Sequence, residues 1–142
     1  MEIIKASIDH LESVYKLLCE LENDLLDKND FSKIYKHNIK NDDVHYVLAV
    51  NDLNIIGFAS LHIQKLLHHC STIGEIQEII VAKEQQGLGV GAMLFEELKK
   101  IATTNKCIQL EVCCNLAREN SHKFYLKQGM KKSHYKFTYR LA

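Results

Sequence analysis

Leu11, Val14, Leu17, Leu18 and Leu21 recur at three- and four-residue steps, the period of a helix with one buried face. Asp9, with Glu12 three residues on, is placed as its capping box. Ahead of it, residues 2–7 read as a short strand. The polar stretch 22–30 leads to a weaker helix over 31–39, broken by Asn41-Asp42-Asp43. Residues 44–50 and 55–65 are β-rich runs on either side of Asn51-Asp52-Leu53-Asn54, the pattern of an antiparallel hairpin. His68-His69-Cys70-Ser71 reads as a loop or strand edge, and 75–81 as another strand. Val90, Leu94, Leu98 and Ile101 give a helix over 89–104 one apolar face. A strand over 107–114, a helix from about 116 to 128 stopped by a left-handed Gly129, and an alternating strand over 134–141 complete the chain. The order β-α-α-β-β-β-α-β-α-β is a mixed α/β layer. Its strand–helix–strand unit over 75–114 implies a right-handed crossover and locally parallel pairing.

No repeat, low-complexity tract or long linker interrupts the pattern, which predicts a single domain over residues 1–142. That length can bury a core without disulfides or a structural metal. Lys plus Arg and Asp plus Glu number 18 each, so the formal net charge is zero. Without a basic excess, nucleic acid is not expected as the main partner. The five cysteines are odd in number and none pairs at C-x-x-C spacing, so they read as reduced thiols. The first residues lack a signal-peptide profile and no apolar run approaches ~20 residues, so a cytoplasmic protein with no membrane partner is expected.

The chemistry gathers after the 75–81 strand. Glycine at 87, 89 and 91 lets backbone N–H groups approach an anion without Cβ interference. A helix starting at the same place points unpaired N–H groups and its positive end there. No G-K-[ST] follows, so this is not a P-loop, and it matches G-x-G-x-x-G poorly. A glycine-rich turn without a ligand is the alternative.

Gln86, Gly89 and Gly91 resemble the Q/R-x-x-G-x-G/A signature of the GNAT acetyltransferases, and Phe124-Tyr125-Leu126-Lys127-Gln128-Gly129-Met130 is similar to that family's F-Y-x-x-x-G-F/M block. The resemblance implies the GNAT fold, a central, mostly antiparallel mixed sheet of about six to seven strands flanked by about four helices. It implies acetyl-coenzyme A as cosubstrate. The pyrophosphate would lie on Gln86, Gly87, Leu88, Gly89, Val90, Gly91 and Ala92, and the pantetheine arm along Ile79, Ile80 and Val81. It also implies a coenzyme contact for Asn115, which as a residue reads equally well as a helix cap. The segments Leu66-Leu67-His68-His69, Ile73-Gly74-Glu75-Ile76-Gln77-Glu78 and Ser133-His134-Tyr135-Lys136-Phe137-Thr138 resemble the bacterial aminoalkylphosphonate N-acetyltransferases. Those enzymes acetylate small amines bearing a phosphonate, and some depend on a divalent metal.

Acetyl transfer to an amine needs a neutral amine, a stabilised oxyanion and a stabilised thiolate. By the resemblance Tyr125 is the general acid; the alternative is a packed ring. Glu78 and Glu75 are candidates to take the ammonium proton or bind the ammonium. Three apart on a regular strand, they point to opposite faces unless a bulge intervenes. Glu78, nearer the pantetheine segment, is preferred. His68, His69 and His134 are candidates to bind the acceptor, and some of His68, His69, Glu75 and Glu78 to hold a divalent ion. Cys113 and Cys114 are not read as nucleophiles.

Two other functions stay open. One is a GNAT enzyme acting on an aminoglycoside, polyamine or peptide N-terminus, for which Asp24, Asp27 and Asp30 leave room. The other is a non-catalytic coenzyme-A-binding module. An edge strand over 134–141 also allows a homodimer.

Overall fold

Ser7, rather than Asp9, opens the first helical segment. Its hydroxyl accepts the Asp9 N–H at 3.3 Å, and His10 Nδ1 accepts the Ser7 N–H at 2.9 Å, so the capping box closes between Ser7 and His10. A 3-10 turn over Ile8–His10 passes into α1, Leu11–Glu22. The next helix, α2, covers Lys28–Ile39 and starts a turn earlier than its apolar pattern suggests. The Asp27 carboxylate accepts the Asp30 N–H at 2.8 Å and supplies that start.

The strands are β1 (Glu2–Lys5), β2 (Val44–Asn51), β3 (Asn54–Leu66), β4 (Ser71–Val81) and β5 (Leu110–Val112). They pair in chain order in one sheet, and β1 to β4 are antiparallel. The hairpin turn between β2 and β3 holds Asp52 and Leu53 at φ 47° and 68°, the left-handed pair that matches strand twist. Beside β4, the Ile108 N–H bonds the Thr72 carbonyl at 2.9 Å and the Gly74 N–H bonds the Gln109 carbonyl at 3.1 Å. These bonds climb both segments in the same direction, as the expected crossover through α3 (Val90–Thr104) requires.

Register sorts the side chains into two layers. Leu48, Phe58 and Ile80 form one cross-strand row and are buried with Val14 and Leu17 of α1 and Tyr35 of α2. On the opposite face α3 buries Leu94, Phe95, Leu98 and Ala102. Gly57 lies so close beneath it that a Cβ there would stand 3.0 Å from Leu94 Cδ1. Burying side chains of this size stabilises by about 1.5–3 kcal/mol each.

The structure describes the whole chain, Met1–Ala142, identified here as a computed structural model. It contains two compact units, Met1–Glu111 and Val112–Ala142. In the second, α4 spans Glu119–Lys127 and ends before Gly129, whose φ of 94° is the expected left-handed stop. Four α-helices match expectation, but five strands replace the six to seven expected. The strand over 107–114 shortens to Leu110–Val112, because Lys106 takes φ 60° before it and the Asn115 turn follows it. Residues 131–142 form no strand and are exposed. A period-2 pattern makes one apolar edge, but a strand also needs a neighbour to receive its backbone hydrogen bonds.

Candidate active site

β4 runs directly into the glycine loop. After Val81 a 3-10 turn over Lys83–Gln85 brings Gln86 back, and its side-chain amide donates to the Val81 carbonyl at 3.0 Å. Gly87 and Gly89 follow at φ 80° and 86°, with open space where a Cβ would stand. Gly89 is the N-cap of α3 and offers no side-chain cap. The first ladder bond near this end runs from the Met93 N–H to the Gly89 carbonyl at 3.1 Å. The N–H groups of Val90, Gly91 and Ala92 therefore precede the intrahelical ladder and face outward at the positive end of a 15-residue helix. An anion is the ligand such a site suits.

The pairing of β4 changes along its length. Counting from the Gly74–Gln109 bond, a parallel strand ending at Val112 stops about level with Gln77. Ile79, Ile80 and Val81 pair with Ala59, Phe58 and Gly57 of β3 on one side and run beyond β5 on the other. An extended ligand backbone can pair there.

Between those two stretches the β3–β4 register shifts. Ser60 pairs with Glu78 and Leu61 with Ile76, so Gln77 is the extra residue of a β-bulge. His62 pairs with Glu75 one step further on. Paired residues share a face, and Ser60 and His62 are two apart, so Ser60, His62, Glu75 and Glu78 lie together on the α1/α2 side. The bulge is what reconciles the three-residue spacing of the two glutamates with one face. Tyr46 extends the row across β2 as the partner of Ser60.

Ser60 is fully buried. Its hydroxyl donates to the Glu78 carboxylate and accepts the Glu78 N–H at 3.1 Å. Burial pushes the Glu78 carboxyl above the usual carboxylate range, and the Glu22 carboxylate pushes the same way; the Ser60 hydrogen bond and His62 pull it back. The Tyr46 hydroxyl accepts the Asn38 side-chain N–H at 2.8 Å, and burial raises its phenol. Glu75 accepts the Gln77 side-chain N–H at 2.8 Å.

His68 and His69 do not join this row. They sit in the 3-10 turn Leu67–His69 that links β3 to β4, their rings 4.3 Å apart. His69 Nε2 approaches Glu111 Oε2 at 3.3 Å. Glu75 lies four residues past Ser71, roughly 13 Å along the strand from that turn. The two histidines are thereby set apart from Glu75 and Glu78, so these four side chains do not converge on one point. No group of three or more His, Cys, Asp or Glu side chains is arranged to hold a metal ion.

In the second unit Tyr125 lies on α4, its ring edge-on to Phe124 at 5.2 Å. Burial, with Cys114 adding to it and Arg118 opposing, pushes its phenol up to about 12. Asn115 Oδ1 accepts the Ala117 N–H at 2.9 Å, so the side chain shapes the turn before α4, while Arg118 is the helix N-cap. His134 is exposed and shares a 2.6 Å hydrogen bond with Ser133.

Sequence reading missed Tyr46, Ser60 and His62. Ser60 had a signal, since it is the lone hydroxyl within the run Ile55-Ile56-Gly57-Phe58-Ala59-Ser60-Leu61. A hydroxyl inside a buried strand needs a partner.

A strand leading to uncapped helix amides, with a carboxylate held beside it, fits an enzyme that takes an anionic cosubstrate and handles an amine proton. The family model for the acetyltransferase (GNAT) family matches residues 11–130. The chain belongs to that family and is an N-acetyltransferase whose acetyl donor is acetyl-coenzyme A. It is 36% identical to an aminoalkylphosphonate N-acetyltransferase of Salmonella typhimurium, over 96% of this chain and 89% of that protein. It is 30% identical to a glucosamine 6-phosphate N-acetyltransferase of Candida albicans, over 75% of this chain and 71% of that one. Among solved structures it superposes on an aminoglycoside 6′-N-acetyltransferase of Acinetobacter haemolyticus with a TM-score of 0.89, covering 100% and 99% of the two chains at 19% identity. An aminoglycoside N-acetyltransferase in complex with CoA gives the same TM-score at 20% identity, covering 99% and 93%. At such identities the likeness is one of fold. No helix is long and apolar enough to cross a membrane.

Proposed function

We propose that the chain acts as one cytoplasmic domain that acetylates the primary amine of a small acceptor carrying a phosphorus oxyanion, an aminoalkylphosphonate first. The observation that carries the reading is the bulge at Gln77, which puts Glu75 and Glu78 on one face of the strand that enters the glycine loop. The names of the two relatives describe amines that also bear a phosphonate or phosphate. That supports an anionic acceptor over a polycation.

In this reading the pyrophosphate rests on the loop from Gln86 to Ala92, and the pantetheine arm lies along Ile79, Ile80 and Val81. Glu78 takes a proton from the ammonium, and its raised pKa makes it a better base than an ordinary carboxylate. The free amine attacks the thioester carbonyl carbon, the oxyanion collapses, and the C–S bond breaks with its electron pair on sulfur; the nitrogen gives up its remaining extra proton, which the thiolate takes up to leave as free coenzyme A thiol. Tyr125 supports the thiolate by donating a hydrogen bond, since a phenol at about 12 keeps its proton. His62, beside Glu78, takes the acceptor's anionic end, a role the sequence offers to His68, His69 and His134.

Thiol release from acetyl-coenzyme A with 2-aminoethylphosphonate, (aminomethyl)phosphonate, glucosamine 6-phosphate, spermidine and kanamycin tests this. Turnover is expected with the phosphorus-bearing amines. Turnover with spermidine or kanamycin alone would overturn the acceptor class, and coenzyme binding without any turnover would leave a binding module.

We also propose a homodimer joined through residues 134–141. Tyr135, Phe137, Tyr139 and Leu141 alternate there and are 84%, 92%, 88% and 93% exposed. Three aromatics at about 150–250 Å² each, contributed by both copies, approach the area of a stable interface. Sedimentation should give twice the 16.4 kDa chain mass, and Phe137→Asp should give the single mass. A monomer at all concentrations refutes it.

A further inference from the structure

A β-bulge leaves the ladder one bond short at the extra residue. In this sheet a side-chain hydroxyl bonds to the backbone of the next residue, beside that gap. The Glu78 N–H finds its acceptor in Ser60 Oγ at 3.1 Å, and the same oxygen donates its proton to the Glu78 carboxylate. Ser60 is the only fully buried polar side chain, so neither bond has water as a ready substitute. Its neighbours in β3 from Ile56 to Leu61 are buried and apolar apart from Gly57, and none could supply a hydroxyl.

The two bonds have separate consequences. The first fixes the register, because a one-residue slip of β4 would carry Glu78 to the α3 face. The second fixes the carboxylate, holding one oxygen toward β3 and leaving the other for the amine. We infer that Ser60 is a positioning residue for acetyl transfer: its hydroxyl pins the bulge at Glu78 and aims the Glu78 carboxylate at the acceptor. The inference rests on the reading of Glu78 as the base.

Five groups bear on that carboxylate. Ser60 and His62 face it from β3, Tyr46 from β2 and Glu75 from β4, while Glu22 acts on it from the end of α1. Among them Ser60 and His62 favour the ionised form. Loss of the hydroxyl therefore leaves Glu78 harder to ionise, and the acid limb of the pH–rate profile moves to higher pH.

The test compares Ser60→Ala, Ser60→Cys and Glu78→Gln with the wild type, using thiol release with 2-aminoethylphosphonate across pH 5–9 and thermal melting as a fold control. For Ser60→Ala we expect kcat/KM for the amine to fall by on the order of 10- to 100-fold, the loss that accompanies a misplaced group. The acid limb should move upward in pH while the KM for acetyl-coenzyme A stays within about twofold. Cysteine keeps the volume and donates weakly, so Ser60→Cys should show the same shift with a smaller loss even where alanine unsettles the sheet. A wild-type acid limb in Ser60→Cys, with Glu78→Gln inactive, overturns the role of Ser60 and leaves the base in place. Full activity in Glu78→Gln overturns the base itself.

Discussion

Glu75 and Glu78 stand on one face of β4 although three residues separate them, because Gln77 between them has no partner on β3. Their surroundings differ. Glu78 is held by Ser60 and has its carboxyl pushed up by burial, whereas Glu75 accepts a hydrogen bond from the side chain of Gln77, two residues along the strand.

The two should therefore separate on mutation. If Glu78 is the proposed base, Glu78→Gln removes the proton acceptor and should lower kcat/KM for the amine by about 10²–10⁴-fold, the usual worth of a general base. Glu75→Gln keeps the shape of its site and should cost less than about tenfold. Steady-state thiol release checks this; equal losses in the two variants would show that the pair acts as a unit.

The same carboxyl makes stability depend on pH. Its pKa is raised on folding, so ionisation is easier in the unfolded chain. The stability it contributes is complete below the unfolded glutamate value of about 4.3 and falls as pH rises through the folded value. Glu78→Gln escapes that loss. It should melt higher than the wild type at pH 8. The difference should vanish near pH 4. A variant that melts lower at pH 8 would mean that hydrogen bonding to the ionised form outweighs burial.

How far the sequence leads differs between these elements. The loop Gln86–Gly91 and the helix after it were legible, because glycine spacing and a 3.6-residue apolar period are local. The hairpin was legible for the same reason. The bulge was not: Gln77 is an ordinary strand residue, and only pairing with β3 shows that it is extra. The cap at Ser7 is hidden in the sequence because His10, which closes its capping box, is not the usual Glu or Gln partner. The 134–141 strand failed on its neighbour rather than on its pattern. His68 and His69 drew attention as a pair, but their turn sits at the far end of the hairpin from Glu78, whereas the unremarkable His62 faces the glutamates.

Gly89 tests the anion site. Its φ of 86° costs a residue with a Cβ about 1–2 kcal/mol, yet no atom lies within 4 Å of where that Cβ would be. Gly89→Ala should therefore fold, melt roughly 3–6 °C lower and bind coenzyme A more weakly. Gly89→Asp adds a charge beside the helix amides and should abolish binding in titration calorimetry. Normal coenzyme affinity in Gly89→Asp would remove the pyrophosphate from this loop.

Tyr125 separates proton donation from packing. With its phenol raised to about 12, the hydroxyl stays protonated across the working range and can donate to a departing thiolate throughout. Deprotonation, and with it loss of the donor, sets in only as pH approaches about 12. The wild type should thus show no basic limb attributable to Tyr125 between pH 7 and 10. Removing the donor in Tyr125→Phe leaves the ring against Phe124 and should lower kcat by on the order of 10- to 100-fold, as loss of one well-placed donor to a developing charge does. Coenzyme affinity, which the proposal assigns to the amides of the loop, should hardly change. Full activity of Tyr125→Phe from pH 6 to 9 would return Tyr125 to a packing role and leave the thiolate to depart without its help.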